Sequence, residues 1–131
     1  MRNTNAAVRI LAICAGLEMA TGLALVASPA LVIAILLGLG TTADMVPIAR
    51  VAGIALFALG LACWPARPRA EYVPAAFWAM LSYNILTAAY LAYLGAVEGL
   101  DGMLLWPVAA GHAALAGVLI YVWRSASQSS R

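Results

Sequence analysis

The stretch MVPIARVAGIALFALGLACW, residues 45–64, carries a single charged side chain, Arg50. A helix rises about 1.5 Å per residue, so about 20 apolar residues reach across the roughly 30 Å hydrocarbon layer of a bilayer. The segment that follows, Pro65-Ala66-Arg67-Pro68-Arg69, has prolines that stop a helix and arginines that mark a membrane interface. Other stretches read the same way, at about residues 7–27, 72–94 and 103–123. Their short connections predict an all-α fold, a transmembrane four-helix bundle with up-down order, built as one domain over residues 1–131.

Composition leads to the same place. Hydrophobic residues make up 66% of the 131 positions and charged residues 9%. That is too little charge to cover a soluble domain this small. The net charge is +2, and every basic residue is arginine. Charge this sparse excludes a nucleic-acid surface, so no nucleic acid is expected as a partner. Membrane lipids are the partner the composition requires.

The connections carry their own signals. Ser28-Pro29 is an N-cap and first-turn pair for a new helix, and the apolar run that ends before Gly38 is too short to span. It predicts an extra short interfacial helix over about residues 29–37, the alternative being a kinked continuation of the first span. Thr41-Thr42-Ala43-Asp44 is a polar loop with N-cap residues for the second span, and the loop over residues 95–102 is acidic and rich in glycine. The serine-rich tail, residues 125–131, reads as disordered. The N-terminus has the basic start and small-residue stretch of a secretory signal. Glu18 interrupts its apolar core, however, and the hydrophobic run resumes after Pro29, so it reads as an uncleaved first helix.

Arg2, Arg9, Arg67, Arg69, Arg124 and Arg131 fall on one side of this arrangement, and Asp44, Glu98 and Asp101 on the other. The positive-inside rule then predicts cytoplasmic N- and C-termini in a multi-pass membrane protein. Trp64, Trp106 and Trp123 sit at span ends, where aromatic belts form.

Few polar side chains fall at membrane depth. Glu18 is near the middle of the first span, Tyr83 and Asn84 of the third and His112 of the fourth, while Arg50 lies about one turn inside the outer end of the second. A charge at a helix centre costs about 2.5–3.5 kcal/mol on insertion scales, so such residues turn inward and find partners. The expectation is a Glu18–Arg50 ion pair, direct or through water. Around it, Glu18, Arg50, Tyr83, Asn84 and His112 would form one interior ligand-binding cluster. The structural alternative is an ion pair that only sets helix register, beside a core histidine bonded to Glu18, Asn84 or a backbone carbonyl.

Tyr83 and Tyr90 are seven apart and share a helical face, with Tyr93 beyond them. They read as an aromatic groove for a lipid or quinone, or as helix packing with an interfacial anchor. Cys14 and Cys63 fall in the same half of their spans with no C-x-x-C pairing, and read as free thiols packed as small hydrophobes. Ala49/Gly53 and Ala113/Gly117 repeat at four-residue spacing, which lets helix backbones approach within a bundle or between subunits.

No Walker loop, nucleophile elbow, H-E-x-x-H or nucleotide fingerprint is present, so no catalytic residue is assigned. One histidine, a buried glutamate and two separate cysteines are a poor metal set, and His112 as a haem ligand would want a second axial group or an open distal pocket. No cofactor is named by these residues.

The stretch Arg50-Val51-Ala52-Gly53-Ile54-Ala55-Leu56, continuing to Leu59-Gly60 and Ala62-Cys63-Trp64, carries a resemblance, together with Tyr83-Asn84 and Leu105-Trp106-Pro107 followed by His112. It resembles a set of small uncharacterised four-helix bacterial inner-membrane proteins over most of the chain. In helix count and in the arginine-glycine start of the second span it is loosely similar to DoxX-like proteins. That likeness implies accessory membrane subunits or quinone-linked redox chemistry, and it assigns no catalytic residue. The leading expectation is thus a non-enzymatic membrane protein that binds an apolar or amphiphilic partner or serves in a larger membrane complex. A quinone- or haem-linked redox component and an oligomeric proton-coupled transporter, built as a homo-oligomer, are the alternatives.

Overall fold

A computed structural model describes the backbone of residues 2–65 and 72–128, and the side chains of residues 6–65 and 74–125. The described residues form five helices and no strand: α1 (Arg2–Ala27), α2 (Pro29–Leu37), α3 (Met45–Cys63), α4 (Tyr72–Ala96) and α5 (Leu105–Gln128). Four segments, Ala6–Ala27, Met45–Cys63, Pro74–Ala96 and Leu105–Ser125, are long and apolar enough to cross a membrane. By length and composition the chain is a small multi-pass membrane protein. Arg67, Arg69 and Arg131, which share the orientation argument, lie outside the described residues.

The helix ends differ modestly from the expected spans. α4 runs on to Ala96, and α5 continues to Gln128, into the tail expected to be disordered from residue 125. Arg124, Ala126 and Gln128 are good helix formers, so propensity favours the extra turn. The break between α1 and α2 is a single residue, Ser28, whose ψ of 62° leaves the helical range. Its hydroxyl makes no capping bond. Backbone hydrogen bonds nevertheless run through the break, from Ser28 N–H to Ala24 O at 2.8 Å and from Val32 N–H to Ser28 O at 3.1 Å. Pro29 has no N–H to donate, and the chain turns there.

The closest packing is between α1 and α3, and glycine makes it. A Cβ on Gly53 would lie 2.6 Å from Gly22 O, one on Gly22 2.5 Å from Gly53 O, and one on Gly60 2.6 Å from Ala15 O. The two helices therefore touch backbone to backbone and run in opposite directions. Ala49 and Gly53 are both buried, as the four-residue spacing predicts for a contact face. Ala113 and Gly117 are not: both are exposed, and a Cβ on Gly117 would meet nothing. The second small-residue pair thus takes no part in packing within the chain.

α4 packs on α5, again antiparallel, with Gly95 against the side chains of Leu105 and Trp106. The core lies among Leu11, Cys14, Phe77, Met80, Leu81 and Leu119. Cys14 and Cys63 are both buried in it as free thiols. Toward the end away from α2, Phe77 stacks on Trp123 with ring centroids 4.7 Å apart.

α2 is held by the loop that follows α4. Leu104 N–H donates to Ile35 O at 2.9 Å, and Gly102 lies flat on the Leu36–Leu37 backbone. No side chain fits there. Gly102→Val is expected to lift the loop from α2 and break the Leu104–Ile35 bond, at a cost of about 1–3 kcal/mol for overpacking. Hydrogen exchange at the Leu104 amide would show it as lost protection; unchanged protection would mean that the loop does not clamp α2.

Candidate functional site

The polar side chains at membrane depth form a layer one helical turn from the apolar core, toward the α2 end. Glu18 follows Cys14 by four residues, Asn84 follows Met80 by four, and His112 precedes Ala116 by four. Cys14, Met80 and Ala116 are all in the core. Residues four apart stack on one helix face, so three helices that place a core residue inward also place their polar residue inward. α3 contributes glycines at this interface and no polar group to the layer.

Glu18 is 3% exposed and Asn84 0%. The Tyr83 hydroxyl lies beside the Glu18 carboxyl, and Thr87 lies beside the Tyr83 hydroxyl. Beside this chain runs a second one. Asn84 Nδ2 donates to Met80 O at 2.8 Å, and Asn84 Oδ1 lies 2.8 Å from His112 Nδ1. The two chains meet where the Tyr83 and His112 rings stand edge to face, with centroids 5.5 Å apart.

The direction of the second chain follows from elementary hydrogen-bond chemistry. The Met80 carbonyl only accepts, so the Asn84 amide nitrogen faces it and the amide oxygen faces His112. That oxygen also only accepts, so His112 Nδ1 carries the hydrogen. A neutral His112 then has its lone pair on Nε2. Among the described residues the one side-chain hydrogen bond of His112 is made through Nδ1. His112 is half-buried, and at Gly111 before it a Cβ would meet open space.

Four of the five expected site residues therefore come together: Glu18, Tyr83, Asn84 and His112. Arg50 does not. It is exposed, and it is absent from the groups that act on the Glu18 carboxyl, which are burial and the Tyr83 hydroxyl. In place of the expected Glu18–Arg50 ion pair, the group beside the Glu18 carboxyl is the Tyr83 hydroxyl. The reason is angular. Ala49 and Gly53 define the face of α3 turned to α1, and Arg50 is one residue, about 100°, further round.

The aromatic groove does not form either. Tyr83 points inward, while Tyr90 is 62% exposed and stacks on Tyr93, whose hydroxyl donates to Glu98 Oε1 at 2.6 Å. Thr87 was missed by sequence reasoning. Its position four residues beyond Tyr83, on the same face, was the available signal. Ser82, exposed toward the outside of the bundle, satisfies its hydroxyl within its own helix by donating to Trp78 O at 2.8 Å.

Among the described residues no group of three or more His, Cys, Asp or Glu stands close enough to hold a metal ion. No family model, no curated protein and no solved structure matches the chain.

Proposed function

We propose that the chain is a small bacterial inner-membrane protein that holds the polar head of an apolar or amphiphilic partner in its interior polar layer, as a binder or as an accessory subunit of a membrane complex. The observation that carries this reading is Glu18, a carboxyl buried at membrane depth with a hydroxyl partner and no cation among the described residues. Burying such a group costs several kcal/mol or more unless it is neutralised and hydrogen-bonded. A ligand head that bears a donor or a positive charge would add a partner beyond the Tyr83 hydroxyl.

The rest of the reading fits round this layer. The helices form an up-and-down bundle, α2 lies along the outer interface, and both termini face the cytoplasm. The likeness to small four-helix bacterial membrane proteins and, loosely, to DoxX-like ones belongs to the same proposal.

Native mass spectrometry of the protein from mild detergent tests it. The expected spectrum has an adduct of small-molecule mass that disappears in Glu18→Gln. A spectrum without adducts in either protein would remove the binding reading. One observation favours the redox alternative: His112 has Nδ1 tied to an amide oxygen and Nε2 open, the arrangement of a histidine that ligates through Nε2. A Soret band in the purified protein would establish it.

A further inference from the structure

The polar layer has capacity that the described residues leave unused, and all of it is of one kind. His112 Nε2 is an acceptor, by the hydrogen-bond direction that the Met80 carbonyl imposes through Asn84. The Glu18 carboxyl is a further acceptor, served by one hydroxyl and lying in the bundle without a countercharge. The aromatic rings in the layer are those of Tyr83 and His112, which stand edge to face with centroids 5.5 Å apart. Acceptors, an uncompensated acid and ring faces are complementary to a cation that bears N–H groups.

Resting on the reading that this layer receives an amphiphile's head, we propose that the head is a protonated amine, with its charge on Glu18 and an N–H toward His112 Nε2. An anionic head would meet Glu18 in the same layer with no cation to hold it, because Arg50 is turned to the outside. A neutral hydroxyl would satisfy Nε2 and leave the acid without a countercharge. A quaternary ammonium would supply the charge without an N–H for Nε2. Entry is from the lipid side. His112 and Tyr83 are the side chains of the layer that are not fully covered, so the head would enter past them while the alkyl tail stays in the bilayer.

The test compares alkyl chains of one length with four heads: primary amine, alcohol, carboxylic acid and trimethylammonium. Binding is measured to the protein in zwitterionic lipid nanodiscs, with empty nanodiscs subtracted for partition into lipid. The amine is expected to bind about tenfold more tightly than the alcohol or the acid, the size of one charge-assisted bond, with trimethylammonium between them. Glu18→Gln keeps an acceptor for Tyr83. It is expected to lower amine binding about tenfold, which removes the preference for the amine over the alcohol. The comparison of heads on the unaltered protein stands even where that variant folds poorly. Equal binding of amine and alcohol would overturn the amine assignment and leave the amphiphile reading standing. Binding of none of the four above empty nanodiscs would overturn both.

Discussion

Gly53→Leu is expected to destabilise the protein by about 3 kcal/mol, the upper part of the range for overpacking a tight core. The neighbour decides the size. A Cβ at this position would sit 2.6 Å from the backbone oxygen of Gly22 and 2.9 Å from Leu25 Cβ. Neither atom is the tip of a flexible side chain, so no rotamer relieves the contact and α1 must move away from α3. Helix propensity works the other way: replacing glycine by leucine in a helix gains up to about 0.8 kcal/mol. The clash is larger, so the sign stays destabilising. Gly117→Ala is the control, since a Cβ there meets nothing, and propensity alone predicts a neutral or slightly stabilising change. Steric-trap unfolding in bicelles separates the two cases. Equal stability of Gly53→Leu and the parent would mean that α1 and α3 do not meet through their backbones.

Asn84→Leu carries the second large effect. Leucine fits the volume but accepts no hydrogen bond, so the His112 Nδ1–H loses the oxygen that holds it at 2.8 Å. The Met80 carbonyl keeps its helical bond from the backbone N–H of residue 84, so the damage falls on His112. An orphaned donor in this setting costs about 1–3 kcal/mol. The double variant Asn84→Leu/His112→Leu is expected to recover part of that loss, because removing both partners leaves nothing unpaired. Strictly additive losses in the two single variants would show that the side chains do not interact.

What the sequence made legible followed from hydropathy and helical period. Residues 45–64 are apolar over the length of a bilayer, and α3 occupies Met45–Cys63. Glu18, Asn84 and His112 fall at similar depths in their spans, and the three lie in one layer because each also shares a helix face with a core residue. Depth alone misplaced Arg50. Its height suited a partner for Glu18, but its angle on α3 was fixed by Ala49 and Gly53, which face α1. Tyr83 and Tyr90 point the same way from α4, yet one is covered and the other is exposed, because a period says nothing of what stands in front of a side chain. The docking of Gly102 on α2 was likewise out of reach, since it depends on two segments far apart in the chain. The hydrogen-bond direction through Asn84 needed coordinates, after which the chemistry of a carbonyl settled it.

His112 is the only histidine in the chain, so isotope-labelled histidine gives a nitrogen NMR spectrum that reports on this site alone. In lipid bilayers near neutral pH the structure predicts one protonated nitrogen, Nδ1, correlated with the Asn84 side chain, and one bare nitrogen, Nε2. In Asn84→Leu that single tautomer should give way to a mixture. A ring protonated at Nε2 in the parent, or one with no correlation to Asn84, would contradict the interior polar layer on which the proposed function rests.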